Sequence, residues 1–267
     1  MSQGIRKIVR AGRWPGLLFG VLFLIAQGCA STPSVQEQRD LAREKYSQAI
    51  KLQNSKMIDE MIATLREAVK LDPEEPLYRM ALANVLFSKE NLDEAAENYR
   101  KVLQLNPKMT EAYKQLGRLY MQKGDWVNAQ IYLEEAATRP GLVRPHELLN
   151  WLAITYYAQG RFSDAEKKWK DALEIMDNFE IRMNLARAYR DHELFDLAQD
   201  SLEKALTLNP RSAQVHYQLA QLYLKKREFP RARRHFSQVI QLEPLGEMAK
   251  ASRKYLELMP PEKQNGG

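Results

Sequence analysis

The sequence predicts an all-α protein in which about six helix pairs stack into a solenoid and a final helix caps the stack. Prolines recur at an interval of 34 residues, from Pro73 to Pro107 and again from Pro210 to Pro244. Small residues recur with spacings of 34, 34, 36, 33 and 34 residues, at Ala68, Val102, Ala136, Ala172, Ala205 and Val239. A fixed period of this length is the sequence signature of stacked helical repeats.

Composition excludes several other classes. Of the 267 residues, 45% are hydrophobic and 28% charged, with 12 Gly and 12 Pro, which does not fit a disordered, collagen-like or turn-rich β chain. The formal charge of +6 depends on four basic residues before position 14, and without residues 1–28 there are 36 Lys and Arg against 34 Asp and Glu. Nucleic-acid binding needs clustered positive charge, so a nucleic-acid partner is not expected.

The N-terminus reads as a signal peptide covering residues 1–28. Arg6, Lys7, Arg10 and Arg13 precede the apolar run LLFGVLFLIA at 17–26, and small or polar residues follow. Ten apolar residues are too few to cross a hydrocarbon core of about 30 Å, so a cleaved signal is favoured over the alternative, an uncleaved membrane anchor.

The segment Ala26-Gln27-Gly28-Cys29 resembles the lipobox of bacterial lipoproteins. This resemblance implies cleavage before Cys29 and lipidation of its thiol by diacylglycerol, with further acylation such as palmitate. Cys29 is the single cysteine, so no intramolecular disulfide can form. Ala30, rather than Asp, implies sorting to the outer membrane with the body facing the periplasm. Residues 29–41, rich in Ser, Thr, Pro and Gln, are predicted to be a flexible tether.

The repeated unit is clearest at Tyr113-x2-Leu116-Gly117-x2-Tyr120, which resembles the tetratricopeptide repeat. Further copies are Leu152-Ala153-x2-Tyr156, Leu185-Ala186-x2-Tyr189 and Leu219-Ala220-x2-Tyr223. The resemblance implies a right-handed α-solenoid in which each repeat has an antiparallel helix A and helix B. The predicted repeats are 42–75, 76–109, 110–145, 146–178, 179–212 and 213–246, followed by a capping helix and disordered tail at 247–267. Two extra residues within 139–145 predict a loop there, with a hinge as the alternative.

No enzyme chemistry is visible in the sequence, and no cofactor or metal is expected. His146, His192, His216 and His235 form no i, i+4 pair, and the single thiol is assigned to lipidation. No glycine-rich phosphate loop occurs, and carboxylate pairs such as Glu134-Glu135 read as solvated helix faces. The sequence therefore favours a binding protein over an enzyme.

In the tetratricopeptide family, the inner face of the A helices lines a concave groove. The matching positions here are Met80, Asn84, Phe87, Lys114, Arg118, Met121, Asn150, Tyr157, Met183, Arg187, Arg190 and Tyr217. Met and aromatic side chains alternating with Asn and Arg suit a bound peptide, because apolar anchors fill pockets while polar groups hold its backbone. The alternative is that about half of these residues pack between repeats.

A basic run at Lys225-Lys226-Arg227, followed by Arg231, Arg233 and Arg234, is opposed locally by Glu228. One interpretation is that this run binds an anionic lipid or an acidic partner. The alternative is that it forms an ordinary solvated helix face.

In architecture, the chain resembles type IV pilus biogenesis lipoproteins of the PilF/PilW family, with Asn150 and Asn184 placed like that family's Asn-bearing A helices. The resemblance implies a monomeric, lipid-anchored, non-enzymatic scaffold that assists an outer-membrane secretin. The alternative is a general envelope scaffold for peptidoglycan hydrolases or polysaccharide export machinery.

Overall fold

The computed structural model describes residues 33–53 and 57–260, and all regular secondary structure within them is helical. The helices are α1 Val35–Gln53, α2 Ile58–Leu71, α3 Pro76–Ser88, α4 Leu92–Leu105, α5 Thr110–Gln122, α6 Trp126–Ala137, α7 Pro145–Ala158, α8 Phe162–Ile175, α9 Phe179–Asp191, α10 Phe195–Leu208, α11 Ala213–Lys225, α12 Phe229–Leu242 and α13 Glu247–Leu258. None of these is long and apolar enough to cross a membrane. The predicted signal peptide, Cys29 and the tail after 260 lie outside the described residues.

The helices form six pairs, each with an A helix and a B helix, and α13 follows the last pair. Each helix packs against the next along the chain, and α5 also contacts α7, as α7 contacts α9. A helices of successive repeats therefore approach each other more closely than B helices do. The stack consequently curves toward the A helices, whose inner face lines the concave side.

Each turn between helices A and B in repeats two to six contains one residue with a left-handed backbone. This residue is Gly124 in repeat three and Gly160 in repeat four, with φ of +71° and +77°. The same place is taken by Glu90, Glu193 and Arg227 in the other repeats, with φ of 61°, 59° and 59°. The two glycines fit this conformation without steric cost, whereas the three side chains adopt it under strain.

Small residues allow the two helices of each repeat to pack closely. Ala83, Ala153 and Ala220 are fully buried, and the same position in repeat three is Gly117. The buried apolar residues form two large clusters, and the boundary between them lies inside α6. Ala129 belongs to the N-terminal cluster and Leu133 to the C-terminal cluster.

The predicted tether at 29–41 is wrong in its second half, because residues from Val35 onward form helix α1. The backbone N–H of Glu37 donates to Ser34 Oγ at 3.2 Å, and the N–H of Ser34 donates to the Glu37 carboxylate at 2.7 Å. This reciprocal pair is a capping box, which satisfies donors that the first helical turn leaves free. The backbone hydrogen bond from Ser34 also lowers the pKa of Glu37.

The loop predicted within 139–145 lies between α6 and α7 and is fastened to the preceding repeat. Arg139 donates to the carbonyl of Pro107 at 2.8 Å and to the hydroxyl of Tyr113 at 3.0 Å. The hydroxyl of Thr110 donates to the carbonyl of Pro140 at 2.8 Å. These contacts favour an anchored loop over a hinge.

The basic run of repeat six faces more carboxylates than the sequence suggested. Lys226 reaches Asp196 at 2.8 Å in repeat five, as well as Glu228 at 3.5 Å. Arg233 donates instead to the carbonyls of Met259 at 3.1 Å and Pro260 at 2.6 Å, beyond the capping helix. Lys226 and Arg233 thus join neighbouring parts of the solenoid, whereas the other four basic residues of the run are exposed, as expected for a solvated helix face: Lys225, Arg227, Arg231 and Arg234.

Candidate functional site

The structure separates the twelve predicted groove residues by exposure. Met80, Phe87, Lys114 and Asn150 are buried, whereas Met121, Tyr157, Met183 and Tyr217 are partly buried. Asn84, Arg118, Arg187 and Arg190 are exposed. Met80, in the N-terminal core cluster, fits the alternative expectation that some of these residues pack between repeats.

At the centre of the concave side, the exposed Arg118 lies between two aromatic rings contributed by neighbouring repeats. Its guanidinium carbon is 5.1 Å from the centroid of the Phe87 ring on α3 and 5.7 Å from the Trp151 ring on α7. These distances are typical of cation–π contacts. Arg118 forms no ion pair with any described residue. The stack thus holds a rigid cationic group available to a ligand.

Beside this stack is a cleft of about 490 Å³ between the A helices of repeats three, four and five. Its walls include Lys114, Arg118, Arg144, His146, Asn150 and Trp151. Lys114, with only 4% of its side chain exposed, places its ammonium 2.7 Å from Glu111 and 5.9 Å from the Trp151 ring. The cleft brings together three of the predicted residues, Lys114, Arg118 and Asn150.

A buried hydrogen-bond network fixes the floor of the cleft. The Oδ1 atom of Asn150 accepts from Trp169 Nε1 at 2.9 Å and from Asn184 Nδ2 at 3.2 Å. Trp169 on α8 is fully buried. The oxygen of Asn150 is therefore occupied by these two donors.

The remaining predicted residues lie away from this cleft. Asn84 accepts a hydrogen bond from the hydroxyl of Tyr99 at 2.6 Å, and Tyr157 donates to Asp191 at 2.9 Å. Arg190 pairs with Asp191 at 3.4 Å. Tyr217 packs edge-on against Phe236 near the capping helix, with ring centroids 5.9 Å apart.

Sequence reasoning missed Trp151, Arg144 and His146. Trp151 is half-buried and follows Asn150 directly, and its ring lies 5.9 Å from the Lys114 ammonium and 5.7 Å from the Arg118 guanidinium carbon. Arg144 belongs to the inserted loop and precedes α7. It therefore has no equivalent position in the other repeats that would predict a place in the groove.

Sequence reasoning also missed a histidine contact in repeat six. His216 Nδ1 and His235 Nδ1 lie 2.9 Å apart, and His216 Nε2 is 3.2 Å from the carbonyl of Pro210. Burial, followed by the neighbouring His216, lowers the pKa of His235 to about 4. Among the residues that the structure describes, no group of three or more His, Cys, Asp or Glu is arranged to hold a metal ion.

Tyrosines near the ends of A helices link successive repeats. Tyr156 donates to Glu134 at 2.6 Å, and Tyr223 donates to Glu203 at 2.7 Å. Burial, reinforced by these hydrogen bonds to carboxylates, raises the pKa of each tyrosine to about 12. The protonated hydroxyl is thus the form that joins the repeats.

Fold and concave surface together define a helical-repeat scaffold for protein–protein interaction. Profiles described as TPR repeat or tetratricopeptide repeat match residues 83–124, 112–142, 146–179 and 183–247. The chain belongs to the tetratricopeptide repeat proteins.

Among curated proteins, the chain is 27% identical over 161 residues to a BBSome complex member BBS4 homolog of Drosophila melanogaster, covering 56% of this chain and 33% of that protein. It is 24% identical over 203 residues to the tetratricopeptide repeat and J domain-containing co-chaperone DNJ1 of Cryptococcus neoformans, covering 70% and 38%. The chain thus spans little more than a third of these relatives.

Among solved structures, the fold is similar to that of PilW, described as a widely conserved type IV pilus biogenesis factor, with a TM-score of 0.70 and 19% identity. That superposition covers 79% of this chain and 97% of PilW. PilF of Pseudomonas aeruginosa superposes with a TM-score of 0.66 and 16% identity, covering 81% of this chain and 99% of PilF. At such identities the likeness establishes the fold.

Proposed function

We propose that this chain is a non-enzymatic scaffold of type IV pilus biogenesis, anchored by lipid at Cys29 in the outer membrane and facing the periplasm. In this role, its concave surface holds a segment of the outer-membrane secretin while the secretin assembles.

The observation that carries the scaffold role is the ordered surface built by Phe87, Arg118 and Trp151 across three repeats. Groups that are already fixed before binding lose little conformational entropy when a partner docks. Aromatic and arginine side chains are also the types that most often dominate binding energy at interfaces. The surface therefore suits a peptide segment that crosses several repeats.

The pilus role is supported by the extent of the structural match. About four fifths of this chain superposes on nearly the whole of PilW and PilF, whereas the curated relatives are much longer than this chain. The signal-like N-terminus and the lipobox-like segment at Cys29 supply the proposed address.

The test uses a host strain in which the chromosomal gene is deleted. Complementation with the wild-type chain should restore secretin multimers and surface pili. Cys29→Ser should leave an unlipidated protein and fail to restore them. The double variant Arg118→Ala plus Trp151→Ala should weaken secretin binding by about 2 kcal/mol or more, because interface arginines and aromatics carry much of the affinity.

A matched control removes apolar surface elsewhere. Val127 and Ile131 on α6 are 66% and 55% exposed and are absent from the concave cleft. Val127→Ala plus Ile131→Ala should therefore complement fully. Normal pili and secretin multimers in the deletion strain would refute the pilus role, and defects in cell-wall hydrolysis or polysaccharide export would instead identify the alternative envelope scaffold.

A further inference from the structure

We propose that the edge of the solenoid where α1 and α3 begin lies on the membrane surface, and that the cleft between these two helices holds a zwitterionic phospholipid headgroup carrying a phosphate and a primary ammonium. This docking rests on the proposed lipid anchor at Cys29 and adds how the folded body sits against the bilayer.

The first support is the short length of chain between the proposed anchor and the folded body. Helix α1 begins at Val35, and Ser34 belongs to its capping box. The carbonyl of Pro33 accepts a hydrogen bond from the Gln38 side chain at 3.4 Å. Pro33 follows Cys29 by four residues, and four residues span at most about 14 Å even when fully extended. A lipid on Cys29 therefore holds the first turn of α1 close to the headgroups.

The second support is exposed apolar surface at this edge. Helices α1 and α3 are the A helices of repeats one and two, so both begin at the same edge of the stack. Arg39 on α1 lies 3.9 Å from Asp72 in the turn before α3, so the two helix starts are neighbours. Val35 is 66% exposed and Leu77 47% exposed. Apolar side chains presented in this way suit the boundary between headgroups and acyl chains.

The third support is a cleft of about 540 Å³ between α1 and the start of α3, whose walls carry opposite charges. The wall on α1 carries Arg39 and Arg43. The wall formed by the turn before α3 carries Asp72, Glu74 and Glu75. A headgroup with a phosphate and an ammonium complements both walls at once, whereas a simple anion or a simple cation complements only one.

Two tyrosine rings complete the lining of the cleft. The ring centroids of Tyr46 on α1 and Tyr78 on α3 are 5.2 Å apart. Burial raises the pKa of Tyr78, Glu75 and Asp72 raise it further, and Arg43 lowers it, so both charged walls act on the same ring. An ammonium group is attracted to the face of a tyrosine ring, and tyrosine is enriched at the headgroup level of membranes.

One charged residue on each wall is free to meet the headgroup. Arg43 pairs with Asp40 at 3.3 Å, and both side chains are more than half exposed. Exposed pairs of this kind are weak, so Arg43 can turn to a phosphate. Glu74 is exposed and forms no ion pair with any described residue. The phosphate is therefore assigned to Arg43 and the ammonium to Glu74.

The first experiment measures binding of the full-length chain to soluble sn-glycero-3-phosphoethanolamine by heteronuclear NMR, using the amide signals of Tyr46 and Tyr78. sn-Glycero-3-phosphoglycerol keeps the phosphate but lacks the ammonium, and ethanolamine has only the ammonium. The zwitterion should bind about tenfold more tightly than either comparison ligand, because it alone makes both charge-assisted contacts. Equal binding of the three ligands, or no binding of the zwitterion, would overturn the headgroup site.

Two variants separate the walls. Arg43→Gln should reduce binding of the zwitterion to the level of ethanolamine, and Glu74→Gln should reduce it to the level of glycerophosphoglycerol. Arg211→Gln and Glu97→Gln are the charge-matched controls, because both residues are exposed and neither lines the cleft. The controls should bind as the wild type does, and circular dichroism should show unchanged helix content in all four variants. A preference for the zwitterion that survives both cleft variants would contradict the assignment.

The second experiment uses the protein purified from the envelope in nanodiscs of phosphatidylethanolamine and phosphatidylglycerol. Cys29 is the single cysteine, and with its thiol acylated an introduced cysteine alone takes a fluorophore. Leu77→Cys and Ser88→Cys place the fluorophore at opposite ends of α3, about 17 Å apart along the helix. Spin-labelled lipid should quench most of the emission from residue 77 and little of the emission from residue 88.

Equal quenching at the two ends of α3, or none at residue 77, would overturn the docking. If Cys29 carries no lipid, the proposed address fails, and binding of glycerophosphoethanolamine by the full-length chain still decides whether the headgroup site exists. If quenching is confined to residue 77 while the deletion strain assembles pili normally, the docking stands and the pilus role fails.

Discussion

Gly117 on α5 lies so close to Leu133 on α6 that no side chain fits between them. A Cβ atom placed on residue 117 would be 2.5 Å from Leu133 Cγ and 2.6 Å from Leu133 Cδ2. Leu133 is fully buried, so it cannot swing into solvent to relieve such a clash. Repeat three thus brings its two helices closer than an alanine would permit, although the other repeats carry alanine at this position.

Gly117→Ala should destabilise the protein by about 1–3 kcal/mol, because overpacking forces Leu133 off its rotamer or separates the helices. Gly117→Leu should cost at least as much. Urea unfolding followed by circular dichroism measures the change. A double-mutant cycle with Leu133→Ala supplies the control: the smaller side chain makes room, so the double variant should be more stable than the two single effects added together. Strict additivity would contradict the close contact.

Replacing Glu90 by Gly should stabilise the protein by about 0.5–1 kcal/mol. Glu90 has φ of 61°, a conformation in which a side chain is strained, and repeats three and four use Gly at the same place. The gain is limited because glycine also increases the entropy of the unfolded chain. The matched reverse change, Gly124→Ala, should destabilise. Thermal melts of both variants test the pair, and a lower midpoint for Glu90→Gly would refute the strain argument.

The repeated fold was predictable because its signals are periodic. Proline and small residues return every 33 to 36 positions, and each return marks the same turn or the same helix contact. Features that occur only once, outside the repeat period, were harder to predict from the sequence. Ser34 and Glu37 form a single capping box inside a stretch whose composition resembles a linker, so composition alone concealed the start of α1.

The candidate site was predictable in part for the same reason. Repeat register assigned Lys114, Arg118 and Asn150 to one surface of the stack, and in the structure all three line the same cleft. Repeat register could not assign Arg144 to this surface, because Arg144 comes from the inserted loop. Repeat register also could not show that Lys114 is buried while Arg118 is exposed. Those properties depend on how neighbouring repeats pack rather than on position within one repeat.

Ser34→Ala should unfold the first turn of α1 and cost about 1 kcal/mol of local stability, the usual effect of losing an N-cap. The loss removes the bond from Glu37 N–H to Ser34 Oγ. Amide hydrogen exchange at residues 37 and 38 should accelerate severalfold. Ser163→Ala is the control, since Ser163 is exposed in the first turn of α8 and its side chain makes no hydrogen bond with a described residue. Unchanged exchange at Glu37 would contradict the capping box.

The last prediction concerns acid stability and the contact between His216 and His235. The carbonyl of Pro210 can only accept, so its contact with His216 requires a proton on Nε2, and the 2.9 Å contact between the two Nδ1 atoms holds a single proton. A proton added to His235 is disfavoured by burial, by His216 and by Arg234, and is favoured to a smaller extent by Glu203.

Because the pKa of His235 falls from 6.5 to about 4 in the folded protein, the unfolded chain binds more protons between these two values. His235 therefore imposes no penalty on folding above pH 6.5, and stability should fall by about 2 kcal/mol as the pH drops from 6.5 to 4, after allowance for partial solvent screening. His235→Phe keeps an aromatic ring beside Tyr223, to which His235 is stacked at 5.4 Å, but removes the titration. Urea melts of both proteins at pH 7, 5.5 and 4 separate this effect from carboxylate titration, which the two share. The wild type should lose more stability than His235→Phe over that range, and parallel losses would show that His235 titrates with a normal pKa.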